Sequence, residues 1–137
     1  EDTDLFRQMF KDKNPNIHII NGKISIPPHG RVNIPSGIKV EVPEGYALIA
    51  YNKSGVSLKY GLDVGATVVD QDYKGMIHLS LVNTTEYYVD IDFGQKIIQF
   101  LLIPINYEMP EEVNNEEELF TRESERGDGA FGSTGSF

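Results

Sequence analysis

The sequence predicts an all-β protein built as a jelly-roll-like β-barrel. Apolar residues recur at every second position in several short segments, and proline and glycine separate those segments. Helical periodicity is confined to one stretch near the N-terminus. Many short strands joined by turns are typical of a sandwich or a barrel, and 137 residues is the length of one domain.

One short amphipathic helix is expected at residues 3–11, where Thr3 can cap the first turn. Its apolar face is expected to consist of Leu5, Phe6, Met9 and Phe10.

Strands are expected along the rest of the chain up to residue 103. In the first third, the alternating apolar positions are Ile24 and Ile26, Val32 and Ile34, and Ile38, Val40 and Val42. Further strands are expected at 46–51, 76–83, 87–93 and 96–103. The last contains an almost continuous apolar run, which predicts burial on both faces.

Composition excludes several kinds of site. The chain has no cysteine, which rules out disulfides and thiolate chemistry. Its histidines, His18, His29 and His78, lack the spacing of metal ligands. The net charge of −9 argues against nucleic acid or an anionic membrane as partner, whereas a few local cations can neutralise a small polyphosphate. With no secretory segment and no apolar run long enough to cross a bilayer, a cytoplasmic protein is expected.

The densest polar chemistry lies around Asp70. This residue leaves an apolar strand, and Tyr73 follows it across a turn closed by Gly75. Such a turn can present a carboxylate and a phenol ring together, and a well-held carboxylate can act as a general base. A capping aspartate with a packed tyrosine is the alternative interpretation.

Two further clusters suit phosphate binding. Lys53, Ser54 and Gly55 offer a cation, a hydroxyl and close backbone approach, and Lys96 and Gln99 lie where a turn enters a strand. Ordinary surface positions are the alternative for both.

The last twelve residues, 126–137, combine four glycines with one arginine, two aromatic rings and three hydroxyls. Glycine makes regular structure costly there, while the other groups can grip a phosphate or stack on a base. The segment is therefore expected to be an arm that orders over a nucleotide, with a frayed terminus as the alternative.

Taken together and in their order along the chain, these segments resemble those of the homotrimeric dUTP pyrophosphatase (dUTPase) family, over about residues 24–137. The segments 26–38 and 43–46 are similar to its early strands and turns. The segments 53–55, 63–75 and 94–99 are similar to its second, third and fourth motifs, and 126–135 is similar to its glycine-rich fifth motif.

The resemblance implies roles for single residues. Asp70 is expected to hold the attacking water, and Tyr73 to pack beneath the deoxyribose and exclude a 2′-hydroxyl. The main chain of the hairpin that contains Thr67 and Val69 is expected to read uracil. The residues expected at the phosphates are Lys53, Ser54, Gly55, Lys96 and Gln99. Those expected from the arm are Arg126, Phe131, Gly132, Ser133 and Thr134, with Phe131 stacked on uracil.

The resemblance also implies the partners. The substrate is expected to be dUTP, cleaved to dUMP and pyrophosphate, which keeps uracil out of DNA and supplies dUMP for dTMP synthesis. Mg²⁺ is expected to ride mainly on the triphosphate, with Asp4 as a metal-linked carboxylate. A barrel domain at 1–118 and an arm at 119–137 are expected to form homotrimers, in which each arm closes over a neighbouring subunit's site. A viral member would act in the host cytoplasm or nucleus.

Some residues depart from the family pattern. Lys53 and Lys96 stand where arginine is common, and Thr67 stands where glycine is usual. Because a β-branched residue rarely adopts positive φ, the hairpin differs here or never needs that conformation. A dCTP deaminase is disfavoured, since Ser80 stands about where that family's glutamate would lie. A catalytically weak dUTP-binding regulator and a dCTP/dUTP pyrophosphatase remain alternatives.

Overall fold

The computed structural model describes residues 3–132 and 134–136. The elements in chain order are α1 (Thr3–Lys13), β1 (Ile19–Ile20), β2 (Lys23–Ile26), β3 (Arg31–Pro35), β4 (Tyr46–Asn52), α2 (Ser54–Tyr60), β5 (Leu62–Val64), β6 (Val68–Val69), β7 (His78–Asn83), β8 (Val89–Asp92), β9 (Ile98–Pro104) and α3 (Glu116–Leu119). Two compact units are present, Glu1–Tyr107 and Glu108–Phe137. None of the helices in the described ranges has both the length and the apolar content of a membrane span.

The strands pair in antiparallel fashion into three sheets, ordered β1-β2-β8, β3-β7-β5 and β6-β4-β9. β4 and β9 form the longest ladder, which runs from Tyr46 opposite Pro104 to Asn52 opposite Ile98. The all-β prediction is therefore confirmed. Across the described residues the ladders form separate sheets and do not close into one barrel.

The core of the first unit combines strand residues with one aromatic ring from α1. Ile26, Leu62 and Leu81 are at most 1% exposed, and Phe10 of α1 is equally buried. The predicted helix is confirmed, but Leu5 is 51% exposed instead of buried. At 3.6 residues per turn, Leu5 lies about 140° around the helix from Phe10, which leaves it outside the packed stripe.

A side-chain bridge joins the end of α1 to the edge of a sheet. Asn14 Nδ2 donates to the carbonyls of Phe10 at 2.8 Å and Asn33 at 2.7 Å, and Asn14 Oδ1 accepts from the Asn33 N–H at 2.8 Å. Asn33 lies in β3, an outer strand of its sheet. Asn14 therefore occupies both backbone groups of Asn33 on the outer edge of β3, and these bonds offset the cost of its own burial.

Two expectations about strands are wrong. Residues 38–42 do not form a strand, because Gly37 turns the chain at a φ of 76°. The segment meets its neighbour through a bond from the Ile77 N–H to the Ile38 carbonyl instead of through a ladder. Strand β9 is not buried on both faces, since Leu101 and Leu102, which point to opposite faces, are 52% and 51% exposed.

Periodicity does not predict helix α2. Val56 is its buried residue, so the segment shows no apolar stripe. The helix ends at Gly61, whose φ of 67° is left-handed and whose N–H bonds back to the carbonyls of Ser57 and Val56.

Candidate active site

The turn after β6 holds Asp70 and Tyr73. Asp70 Oδ1 accepts from the Asp72 N–H at 3.0 Å, and the Tyr73 N–H donates to the Asp70 carbonyl at 3.3 Å. The Tyr73 hydroxyl donates to the Met76 carbonyl at 2.6 Å, which anchors the ring. The Asp70 residue is exposed, and capping uses one of its two carboxylate oxygens, so capping and proton transfer are compatible.

Gly75 leaves room for the tyrosine ring. A Cβ atom at this position would lie 2.6 Å from the Tyr73 hydroxyl and 2.7 Å from its Cζ. Real Cβ atoms essentially never come so close, so any side chain here must displace the ring. The sequence points to Gly75 as the end of a turn, and the structure adds this steric reason.

Tyr107, which is distant in sequence, holds the same turn through hydrogen bonds. The Tyr107 hydroxyl accepts from the Gln71 N–H at 3.3 Å and donates to the Tyr46 carbonyl at 2.7 Å. Gln71 Oε1 in turn accepts from the Gly45 N–H at 2.8 Å. Sequence reasoning misses Gln71 and Tyr107, because their partners lie 26 to 61 positions away.

The hairpin before Asp70 runs between two sheets. Its first strand, β5, pairs with β7, and its second, β6, pairs with β4. The Thr67 carbonyl accepts from the Ala50 N–H at 2.7 Å, and Thr67 is not among the residues with positive φ. This hairpin therefore never needs the conformation that glycine favours. At Gly65, a Cβ would lie 2.4 Å from Ser80 Oγ, so any side chain there must displace the Ser80 hydroxyl on β7.

The second cluster lies at the far end of β4. Lys53 caps α2 in an extended conformation and is half-buried, whereas Ser54 and Gly55 are exposed. Gln99 Nε2 donates to the Asn52 carbonyl at 2.6 Å, so β9 brings Gln99 to this turn. Lys53 and Lys96 both line a largely apolar cavity of about 850 Å³.

Within one chain the two clusters lie apart. Val69 pairs with Leu48, and continuing that register sets Asp70 beside Ala47, at the start of β4. Six residue steps of about 3.3 Å then separate Ala47 from Lys53, or about 20 Å along the strand. A general base and the groups that hold the reacting phosphate must reach the same atoms within hydrogen-bond distance or through one water. One chain therefore does not bring Asp70 to its own Lys53.

The second unit contains the arm residues. The Arg126 guanidinium Nε donates to the Gly129 carbonyl, and the Gly129 N–H donates back to the Arg126 carbonyl at 3.1 Å, which closes a turn. Phe131 is fully exposed, and its φ of 49° is uncommon for an aromatic residue. Gly132 and Thr134 follow, while Ser133 lies outside the described residues.

The described residues build no cluster of three or more histidine, aspartate or glutamate side chains fit to hold a metal ion. Asp4, the residue predicted to be metal-linked, lies exposed in the first turn of α1. Its assignment stays a prediction.

Comparison with known proteins gives a consistent result. A family model described as dUTPase matches residues 20–135. The chain is 39% identical over 111 residues to the deoxyuridine 5′-triphosphate nucleotidohydrolase of Arabidopsis thaliana, covering 80% of this chain and 63% of that protein. It is 38% identical over 112 residues to the corresponding protein of Candida albicans, covering 81% and 68%.

Among solved structures, the chain is similar to a substituted form of the Staphylococcus bacteriophage 80alpha dUTPase with dUpNHpp. The TM-score is 0.72 at 27% sequence identity, covering 83% of this chain and 81% of that chain. This match confirms the predicted jelly-roll-like fold.

Proposed function

Because this chain belongs to the dUTPase family, we propose that it hydrolyses dUTP to dUMP and pyrophosphate. The turn that presents the Asp70 carboxylate to solvent beside the anchored Tyr73 ring carries the proposal. Hydrolysis of a phosphoanhydride mainly requires a positioned water and neutralised charge, and an exposed, hydrogen-bonded carboxylate suits the first of these needs.

In the proposed reaction, Asp70 accepts a proton from a water whose oxygen bonds to the α-phosphorus of dUTP. The bond from that phosphorus to its bridging oxygen breaks, and pyrophosphate leaves with the bonding electrons. Tyr73 packs against the deoxyribose, held in place by its bond to the Met76 carbonyl. The main chain of the hairpin that contains Thr67 and Val69 reads the polar edge of uracil.

Other residues neutralise and enclose the triphosphate. Those at the phosphates are Lys53, Ser54, Gly55, Lys96 and Gln99. Those of the arm, which spans 119–137, are Arg126, Phe131, Gly132, Ser133 and Thr134. A phosphate would compete with the Gly129 carbonyl for the Arg126 guanidinium, and a charge-assisted bond is the stronger of the two.

The chain suits Mg²⁺ carried on the phosphates of dUTP, which is how Mg²⁺ commonly binds in phosphate-processing sites, since the described residues form no carboxylate cage. Bound there, Mg²⁺ would neutralise phosphate charge, and Asp4 would be the residue that holds it through water.

The active form is a homotrimer with sites shared between subunits. Two features support this proposal. The separation of Asp70 from Lys53 along β4 favours a site completed by a second chain. Strand β9 is an outer strand with apolar residues exposed on both faces, and such surface marks an interaction site. The predicted domain at 1–118 supplies these contacts. The protein would act in the cytoplasm, or in the host cytoplasm or nucleus if it is viral.

A single assay tests the activity. Pyrophosphate release is measured with Mg²⁺ and dUTP, beside dCTP, dTTP and UTP at equal concentration. Fast turnover of dUTP alone supports the proposal, and turnover of dCTP as well favours the dCTP/dUTP alternative. Tight binding of dUTP without turnover overturns the proposed hydrolysis in favour of a regulator.

Mixing two inactive variants tests the shared site. Asp70→Asn and Ser54→Ala damage the two clusters separately, and co-expression yields mixed trimers. If one chain supplies Asp70 and its neighbour supplies Ser54, each mixed trimer regains an intact site and partial activity returns. Persistent inactivity of the mixed trimers contradicts a site shared in this way.

A further inference from the structure

Asn52, the last residue of β4, is a meeting point of three segments. Its carbonyl accepts from Gln99 Nε2 of β9 at 2.6 Å. Its side-chain Oδ1 accepts from the Val64 N–H of β5 at 2.7 Å, and its Nδ2 donates to Asp63 Oδ1 at 3.3 Å. One residue thus bonds β9 and β5 immediately before the Lys53 turn.

Asp63 extends this arrangement to the other side of the turn. The same oxygen, Asp63 Oδ1, accepts from Ser57 Oγ at 2.6 Å. Ser57 lies in α2, four residues after Lys53. One carboxylate oxygen on β5 therefore binds a residue just before the 53–55 turn and a residue just after it.

We infer that Asn52, Asp63 and Ser57 form a positioning clamp, which holds the 53–55 turn and Gln99 in register to bind the phosphates. This inference rests on the proposed function, in which that turn contacts the triphosphate. The clamp residues themselves need not touch the substrate. Their role follows from the sensitivity of phosphoryl transfer to position, since a misplacement of about 1 Å can cost about 10²-fold in rate.

The chemistry of the clamp explains why an asparagine stands there. An amide offers an acceptor and donors on one side chain, and here Oδ1 serves Val64 while Nδ2 serves Asp63. An aspartate at position 52 keeps the acceptor and loses the donor. It also sets a second carboxylate beside Asp63, which repels it.

An exchange of partners tests the clamp. Asn52→Asp breaks the pairing, and the double variant Asn52→Asp with Asp63→Asn restores one donor opposite one acceptor. Asn16→Asp makes the same chemical change at an exposed turn and serves as the matched control. Ser57→Ala removes the hydroxyl contact alone, and so keeps the test open if the double variant fails to fold.

The readout compares two ligands and one amide. We expect Asn52→Asp to weaken binding of dUpNHpp about 10-fold or more, because that ligand carries the triphosphate that the 53–55 turn is proposed to bind. Binding of dUMP, which has one phosphate, should change less than about 3-fold, and the exchanged pair should recover most of the loss. Repulsion by Asp63 should push the introduced carboxylate away from Val64, so hydrogen exchange of the Val64 amide should rise about 10-fold in Asn52→Asp and fall back in the pair.

If Asn52→Asp weakens binding of dUpNHpp and dUMP equally, and the double variant recovers neither, the clamp has only a structural role and the inference is overturned. Unchanged dUpNHpp binding in both Asn52→Asp and Ser57→Ala overturns it as well. The wild-type protein separates this result from failure of the proposed function. If the wild type binds no dUpNHpp, the proposed function fails. Hydrogen exchange of the Val64 amide in the variants then still tests whether the clamp contacts exist.

Discussion

Gly75→Ala tests whether the tyrosine ring is held where the reaction needs it. The added Cβ would lie 2.6 Å from the Tyr73 hydroxyl, 2.7 Å from Cζ and 3.2 Å from Cε2, whereas ordinary contact begins at 3.4 Å. The ring must therefore move by about 0.8 Å, and its bond to the Met76 carbonyl weakens. Gly75 does not have positive φ, so alanine adds no backbone strain of its own.

Two magnitudes follow for this variant. Forced packing of this kind costs about 1–3 kcal/mol of unfolding free energy. A shift near 1 Å in a group that positions the substrate costs about 10²-fold in rate, so kcat/KM for dUTP should fall on the order of 10²-fold. The measurements are pyrophosphate release and thermal unfolding. Gly55→Ala is the control for the thermal measurement alone, since a Cβ there meets nothing within 4 Å, whereas Gly55 belongs to the proposed phosphate-binding turn.

Displacement of the Tyr73 ring is refuted if Gly75→Ala turns over dUTP like the wild type and its thermal stability is also unchanged. Tyr73→Phe with Gly75 kept isolates the hydroxyl, because it removes the bond to the Met76 carbonyl without adding a Cβ. Loss of turnover in that variant at unchanged thermal stability would show that the hydroxyl anchor itself is needed.

Three further predictions concern other parts of the chain. Asp70→Asn should leave thermal unfolding unchanged and lower kcat by about 10²–10⁴-fold, since a positioned base contributes that much; near-normal kcat would remove Asp70 from the proposed role. Deletion of 124–137 should preserve the oligomer in sedimentation and cripple pyrophosphate release, because Arg126 and Phe131 are lost; normal turnover would mean that the arm is not catalytic. Asn83→Ala should lower the free energy of unfolding by about 3 kcal/mol or more, since the fully buried amide donates to three carbonyls and each stranded group costs about 1–3 kcal/mol. Asn16→Ala is the exposed control, and equal stability of the two variants would contradict the buried-network account.

The sequence contains the local features of the candidate site. Asp70, Tyr73 and Gly75 can be found because a turn depends on neighbouring residues, and the alternation that marks β2 and β3 is equally local. The 38–42 segment shows the limit of this signal. The alternation of apolar residues is compatible with a strand at 38–42, but a strand also needs a partner to pair with. The turn at Gly37 directs this segment away from the ladder of β3 and β7.

What sequence reasoning misses depends on distant contacts. Asn52 stands directly before the 53–55 segment and Asp63 begins the 63–75 segment, yet nothing local shows that they bond to each other, to Ser57 and to Gln99. The exposure of β9 has the same cause. An apolar run predicts that a strand will be buried, but it does not show whether the residues that bury it belong to the same chain or to another chain.

The bridge from Asn14 to Asn33 has a consequence for how molecules of this protein meet. An outer strand with free N–H and C=O groups is a template on which another chain can add, strand against strand. Asn14→Ala would leave both backbone groups of Asn33 open, and we expect light scattering from concentrated solutions of this variant to reveal growth into larger particles. The Asn14 side chain at the end of α1 thus protects the edge of one sheet from pairing with another chain. This protection matters most at high protein concentration.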